Sequence, residues 1–119
     1  MTDIQRGGAG PYKFSNTVVH GGVVHLAGQV AGAEGFSQPV REQIRLVFAR
    51  IDELLESVGS GRDRMLSVTV LLKNIEDFGV LNEEWDAWVD EAHLPARATM
   101  QAELASPDIL VELIVTAAV

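Results

Sequence analysis

The sequence of 119 residues predicts one α/β domain, of α+β character, in which a sheet carries two helices on one face. Three observations predict it. Several short segments alternate apolar and polar residues, as half-buried strands do, and two longer segments place apolar residues at helical spacing. Strand-like and helix-like segments also follow one another along the chain. The predicted order of elements is β-β-α-β-α-β-β.

The N-terminal third predicts an arm and a hairpin. Residues 1–13 contain three glycines and a proline, which predicts an irregular arm with no packed element. Residues 14–19 and 23–30 predict two strands, because Gly21 and Gly22 between them form a strong hairpin signal. Residues 31–35 are then expected to form a loop.

The middle of the chain predicts a helix and a strand. Residues 39–58 fit an amphipathic helix, because their apolar positions recur every three or four residues. These positions are Val40, Ile44, Val47, Phe48, Ile51, Leu54, Leu55 and Val58. Residues 64–73 alternate and predict a strand. Its two faces would be Leu66, Val68, Val70 and Leu72 on one side, and Met65, Ser67, Thr69 and Leu71 on the other.

The C-terminal part predicts a second helix and two strands. Asn74 offers an N-cap for the helix. The inward stripe of this helix would be Phe78, Leu81, Trp85, Trp88 and Val89, so both tryptophans are expected in a core or an interface. Residues 97–104 and 109–117 predict strands separated by a turn at 105–108.

The second face of the sheet is expected to be covered by another copy of the chain. Two helices can cover only one face, and the other face would carry Met65, Leu71 and residues of the last strand. An apolar patch of this kind normally requires a partner. We therefore predict a homo-oligomer that packs through this face.

Composition excludes several classes of function. A net charge of −8 opposes nucleic-acid binding, and the absence of cysteine excludes disulfides and thiolate sites. No apolar run approaches the roughly 20 residues of a membrane span, and the N-terminus has no signal-like pattern, so a cytoplasmic protein is expected. The spacing of His20, His25 and His93 does not indicate a metal site.

Arg97 and Glu112 are the candidate functional residues. From Asn74 to Val119 the chain has ten carboxylates and a single Arg or Lys, Arg97, whose guanidinium could hold a carboxylate at two points. Glu112 is a lone acid in an apolar strand, where burial without a partner is costly. The pair would suit hydrolysis or tautomerisation of a small, reactive carboxylate substrate. The alternative is that both residues are structural.

The predicted positions of these two residues conflict if the last two strands form a hairpin. Arg97 would then lie four residues from the position opposite Glu112, roughly 13 Å away. The two side chains could meet at one ligand only across a subunit interface, or if the two strands are not hairpin partners.

Several segments together resemble the RidA (reactive intermediate deaminase A) family, also called the YjgF family. The segments are Pro95-Ala96-Arg97-Ala98-Thr99, Leu110-Val111-Glu112-Leu113, Leu26-Ala27-Gly28-Gln29-Val30 and Asn74-Ile75-Glu76-Asp77-Phe78. Two further segments are similar to the YoaB-type branch: Trp85-Asp86-Ala87-Trp88-Val89 and Val115-Thr116-Ala117-Ala118-Val119. The resemblance implies a single domain over residues 1–119 with a chorismate-mutase-like fold and a mixed sheet. In that fold the last strand lies antiparallel between earlier strands, which would bring the two candidate residues together.

The resemblance also implies a function and an assembly. It implies a homotrimer with ligand clefts between subunits, and cofactor-free hydrolysis of small enamines or imines, such as 2-aminoacrylate, to 2-keto acids and ammonia. No metal or cofactor is implied. Nucleic-acid and membrane partners are not expected, and the endoribonuclease role of some family members fits poorly with the acidic pI of about 4.7.

By position, the resemblance implies six site residues, which are Arg97, Glu112, Thr99, Gly28, Ala27 and Phe14. Arg97 would bind the substrate carboxylate, Glu112 would orient or activate water, Thr99 would contribute mainly its backbone amide, and Gly28 would line the cleft. Ala27 replaces the family's serine and removes a hydroxyl.

Phe14 occupies the position of the family's tyrosine in a gapless alignment, whereas Tyr12 would require a two-residue insertion. The alternative function is a non-catalytic module that binds small keto acids in the same cleft.

Overall fold

A computed structural model describes residues 3–119, which form a six-stranded mixed sheet with two helices. The strands are β1 Gln5–Ala9, β2 Ser15–His20, β3 Val23–Leu26, β4 Met65–Leu72, β5 Ala96–Gln101 and β6 Val111–Ala118. The helices are α1 Val40–Ser57 and α2 Phe78–Trp88. The order across the sheet is β1-β2-β3-β6-β4-β5, and only the β4–β5 pair is parallel.

The last strand lies inside the sheet. β6 pairs antiparallel with β3 on one side and with β4 on the other. Its alternate residues Val111, Leu113 and Val115 are at most 1% exposed, because they face the helices. This arrangement confirms the predicted fold class, including the position of the last strand that the family resemblance implied.

Both helices pack on the same face of the sheet. The predicted apolar stripe of α1 is buried at Ile44, Val47, Phe48 and Ile51, as its spacing indicated. The Phe48 ring stacks on Trp88 at a centroid distance of 4.0 Å. Each such buried side chain contributes about 1.5–3 kcal/mol by removal from water. Trp85 and Trp88 are 8% and 7% exposed, which confirms that they belong to the core.

The prediction of an irregular arm over residues 1–13 is wrong for Gln5–Ala9. This segment is β1, which pairs antiparallel with β2 at the edge of the sheet. Its sequence, QRGGA, has no apolar alternation, and four of its five residues are exposed. β1 is therefore held mainly by main-chain hydrogen bonds, which leave no pattern in the side chains.

The predicted faces of β4 are wrong at its first two residues. The pairing of β4 with β6 shifts register between Met65 and Ser67, as at a β-bulge. Met65 therefore points into the core and is 5% exposed, whereas Leu66 is 47% exposed. Beyond the bulge the alternation is as predicted.

The start of α2 also differs from the prediction. A 3-10 turn, Ile75–Asp77, follows Asn74 and precedes the helix, and the Asn74 side chain makes no capping bond. Phe78, predicted to face inward, is 42% exposed. None of the helices in the described part of the chain has the length and apolar content needed to cross a membrane.

Candidate functional site

The structure places the predicted site residues on two different faces of the sheet. Arg97 is paired with Val68, a core residue that is 1% exposed, so Arg97 lies on the face that carries the helices. Glu112 is paired with Leu71 on the opposite, open face. Paired residues of neighbouring strands point to the same side, so the two candidate side chains point away from each other.

On the helix side, Arg97 is held by one face of α2. Its Nη2 donates a 2.8 Å hydrogen bond to Oδ1 of Asn82. The guanidinium carbon lies 5.0 Å from the ring centre of Trp85 and 5.9 Å from that of Phe78. Among residues 3–119, no carboxylate forms an ion pair with Arg97. Thr99 lies two residues after Arg97 in β5 and therefore points to the same face. It has a buried hydroxyl without a hydrogen-bond partner.

Asn82 and Phe78 contact the candidate residue Arg97, and the sequence analysis did not identify either contact. With Trp85 they stand at spacings of four and three residues, which places all three on one side of α2. Arg97, near the start of β5, contacts this side of α2. The sequence pattern assigns Phe78 and Trp85 to the inward stripe of the helix and gives no signal for Asn82.

On the open face, Glu112 lies directly over Gly28. A Cβ atom added to Gly28 would lie 3.0 Å from Cδ of Glu112 and still closer to Oε2, so the carboxylate occupies space that only a glycine leaves free. Burial raises the pKa of Glu112 above the ordinary carboxyl value of 4.5, and no hydrogen bond or opposite charge within the described chain offsets this effect. Glu112 is therefore a half-buried acid without a partner.

Ala27 and Phe14 lie near the same end of the open face. The amide nitrogen of Ala27 donates to the carbonyl of Asn16 in β2 at 2.9 Å. Phe14 immediately precedes β2, and strand alternation places it on the side of Asn16 rather than on the core side. It packs against Gly10, whose amide nitrogen donates to the Phe14 carbonyl at 2.8 Å. Phe14 is 46% exposed, and Tyr12 at the tip of the turn is 84% exposed.

A single chain does not bring Arg97 and Glu112 to one ligand. Glu112 is two strands from the β5 residue Met100, and Arg97 lies three residues further along β5. The strand spacing and rise then separate the two Cα atoms by about 14 Å. The expectation that the inserted last strand would bring the two residues together is therefore wrong within one chain. The last two strands are not hairpin partners, and the two residues are nevertheless apart within one chain.

Each half of the site has a different chemical capacity. The Arg97 half has a cation without a counter-charge and can bind a carboxylate. The Glu112 half can accept or donate a proton and can hold a water molecule. Within residues 3–119, no three His, Asp or Glu side chains come together as metal ligands would.

Comparisons with known proteins agree with this architecture. The family model described as "Endoribonuclease L-PSP" matches residues 8–119. The RutC family protein YoaB of Escherichia coli is 36% identical over 107 residues, which cover 90% of this chain and 91% of that protein. A RutC family protein of Haemophilus influenzae is 35% identical over 105 residues, which cover 88% of this chain and 90% of that protein.

Solved structures are similar over almost the whole chain. An uncharacterised protein from Pseudomonas aeruginosa is 40% identical, with a TM-score of 0.90 and 98% of each chain covered. A YjgF family member from Neisseria meningitidis is 35% identical, with a TM-score of 0.87 and coverage of 98% of this chain and 94% of that one. RidA from an Antarctic Psychrobacter is 26% identical, with a TM-score of 0.83 and 98% of each chain covered. The matched family model, the relatives and the motifs around Arg97 and Glu112 agree, and the chain belongs to the YjgF/RidA family.

Proposed function

We propose that the protein hydrolyses small enamines and imines that carry a carboxylate, of the 2-aminoacrylate or 2-imino acid type, to 2-keto acids and ammonia without a cofactor. The observation that carries the proposal is the state of Arg97. Its guanidinium is fixed in place but has no carboxylate partner within the described chain, although the surrounding sequence is rich in acids.

The environment of Arg97 suits a carboxylate ligand. Asn82 accepts a hydrogen bond from one terminal nitrogen, and the Trp85 and Phe78 rings lie near the guanidinium. This support holds the group in a defined orientation and leaves its other N–H groups for a ligand. A planar guanidinium binds a carboxylate with two parallel hydrogen bonds, and such charge-assisted bonds are about twice as strong as neutral ones. The Thr99 side chain lies on the same face of β5, and its buried hydroxyl has no hydrogen-bond partner within the described chain.

Glu112 is proposed to handle the water. In its ionised form the carboxylate accepts a hydrogen bond from a water molecule and directs the water oxygen toward the imine carbon. The oxygen forms a bond to that carbon, the C=N bond becomes single, and the water proton moves by way of Glu112 to the nitrogen. The resulting carbinolamine loses ammonia and leaves the C=O bond of the keto acid. The raised pKa of Glu112 makes it a better base than an ordinary carboxylate.

A homotrimer is proposed to unite the two halves. Arg97 lies on β5, an edge strand of the sheet, and faces the helices, whereas Glu112 lies on the open face. The open face also carries exposed apolar residues, among them Ile114 at 42% and Met100 at 46% exposure. If this face packs against a neighbouring copy, the Glu112 half of one subunit can meet the Arg97 half of another. The ligand cleft then belongs to neither subunit alone.

The test is release of ammonia and keto acid from freshly generated imines of small amino acids. Arg97→Ala is expected to abolish the acceleration that the wild-type protein gives, and Arg97→Lys to recover only part of it, because an ammonium cannot bind a carboxylate in the same two-point geometry. Arg45→Ala is the matched control. It removes an arginine from α1 that is ion-paired with Glu84 on the helix layer, and it should leave turnover unchanged. Equal turnover by Arg97→Ala and wild type would refute the proposal.

The second candidate function is binding of small keto acids without turnover. It is favoured by two residues of the Glu112 half, Ala27 and Phe14, which have no hydroxyl where the family has one. Calorimetry with keto acids separates the two functions. Tight binding that depends on Arg97, with no hydrolysis of any imine, would favour the binding module.

An endoribonuclease activity, which the name of the matched family suggests, is not proposed for this chain. A net charge of −8 repels phosphates, and RNA binding depends on Lys and Arg side chains that neutralise them. Of the basic residues, Arg41, Arg45 and Arg62 are already paired with Glu83, Glu84 and Asp52.

A further inference from the structure

We infer that Gln29 is a positioning residue for the proposed reaction, and that its side-chain amide sets the place of the Glu112 carboxylate by fixing the Ala27–Gly28 backbone beneath it. This inference rests on the proposed function. Gln29 is buried, at 3% exposure, and it follows Gly28 immediately.

Gln29 is attached to the chain segment that carries Glu112. The main-chain nitrogen of Gln29 donates to the main-chain carbonyl of Leu113 at 2.9 Å, and the main-chain carbonyl of Gln29 accepts from the main-chain nitrogen of Leu113 at 3.1 Å. Leu113 directly follows Glu112. These two bonds fix the backbone on one side of Gly28 relative to the backbone that bears the acid.

The Gln29 side chain fixes the other side of Gly28. Its Nε2 turns back and donates to the carbonyl of Ala27 at 2.8 Å, and its Oε1 accepts from Nε of Arg50 in α1 at 3.2 Å. Arg50 can only donate and a carbonyl can only accept, so the orientation of the amide is determined. Gly28 is thus held between two anchored neighbours.

This arrangement matters because Gly28 and Glu112 are in contact. The carboxylate lies where a Cβ of residue 28 would be, so a small movement of the Ala27–Gly28 backbone displaces the carboxylate directly. The other neighbour across the sheet is Leu71, and neither it nor Gly28 carries a charge that would hold the acid in place. The position of Glu112 therefore depends on packing against this segment, and the segment depends on Gln29.

The test compares the two buried glutamines of the chain. Gln43 is fully buried and bonded in the same way, with Nε2 donating to the carbonyls of Gln38 and Asp108 and Oε1 accepting from the Leu110 nitrogen. Gln29→Leu and Gln43→Leu each remove a buried side-chain amide that both donates and accepts hydrogen bonds. Both should lower stability. Only Gln29→Leu should lower kcat, by about tenfold or more, with KM within about twofold of wild type, because Arg97 still binds the substrate.

A second readout does not need turnover. The titration of the Glu112 carboxyl, followed by NMR with labelled glutamate, should move toward the ordinary carboxyl range in Gln29→Leu as the carboxylate leaves its half-buried place. In Gln43→Leu it should stay as in wild type. If the wild type hydrolyses no imine, the proposed function fails while this titration still tests the role of Gln29.

Two milder variants cover the case in which Gln29→Leu does not fold. Gln29→Glu keeps an acceptor for Arg50 but loses the donor to Ala27, and Arg50→Met removes only the exposed anchor on α1. Each should reproduce part of the loss in kcat and part of the change in titration. Unchanged kcat and titration in these variants, or equal effects in Gln43→Leu, would overturn the inference.

Discussion

Replacement of Gly28 by alanine is the sharpest single perturbation of the site. The added methyl would lie 3.0 Å from Cδ of Glu112 and nearer still to Oε2, whereas ordinary contact begins at 3.4 Å. The carboxylate must therefore retreat by roughly 1 Å or more, and a displacement of about 1 Å can cost about 100-fold in rate. The cost in stability should be small. Overpacking typically costs about 1–3 kcal/mol, but here the obstacle is the end of a flexible side chain. Alanine also lowers the conformational entropy of the unfolded chain, which stabilises the folded protein by about 0.4–1 kcal/mol.

The assay combines imine hydrolysis with urea unfolding of the same preparation. Gly28→Ala is expected to lose about 100-fold in kcat while its free energy of unfolding stays within about 1 kcal/mol of wild type. Gly61→Ala is the matched control, because Gly61 has an extended backbone and a Cβ there meets nothing within 4 Å. Wild-type kcat in Gly28→Ala would refute the placement of Glu112 at the reacting atoms.

Three further predictions follow from the same contacts. Asn82→Ala releases the guanidinium of Arg97 and should raise KM several-fold in steady-state kinetics, with a smaller effect on kcat. Burial raises the pKa of Glu112 in the folded protein, so the folded state binds a proton more readily than the unfolded chain and stability falls as pH rises through the interval between the two pKa values. Glu112→Gln should therefore be more stable than wild type in urea at pH 7, and the difference should disappear at about pH 3. Asp52→Ala removes the acceptor of two hydrogen bonds from Arg62 and should lower the free energy of unfolding by about 1–3 kcal/mol without changing kcat.

The parts of the fold that the sequence predicted well are those with one buried and one exposed face. The apolar spacing of α1 is repeated over five turns, so the helix and its buried residues Ile44, Val47 and Ile51 were predictable. β4 was predictable for the same reason beyond its bulge. The insertion of β6 between β3 and β4 was not visible in any pattern of alternation, and it was expected only through the resemblance to a family.

Two features of the fold left no signal that the sequence analysis could use. β1 is an exposed edge strand with two glycines, and its partner β2 supplies main-chain contacts that any sequence can make. The bulge near Met65 changes which residues face the core, and a strict alternation assigns them to the wrong side. Both features depend on backbone pairing rather than on side-chain pattern.

The site residues were identified from the sequence, but their arrangement was not. Arg97 stood out as a cation among acids and Glu112 as an acid among apolar residues, and these contrasts can be seen without a structure. That they lie on opposite faces follows from the register of β5 against β4, which no local pattern specifies. The supporting residues Asn82 and Gln29 act through hydrogen bonds to partners at least two residues away, so their roles appear only in the folded chain.

The central claim is that the reacting cleft takes Arg97 from one subunit and Glu112 from its neighbour. Co-expression of Arg97→Ala with Glu112→Ala, each carrying a different affinity tag, yields mixed oligomers of two chains that are each inactive alone. If the halves come from adjacent subunits of a cyclic trimer, every mixed trimer has both residues intact in one of its three clefts, whichever variant contributes two copies. Doubly purified mixed trimers should then recover about one third of wild-type turnover. Mixed oligomers that are no more active than the two variants alone would contradict the account.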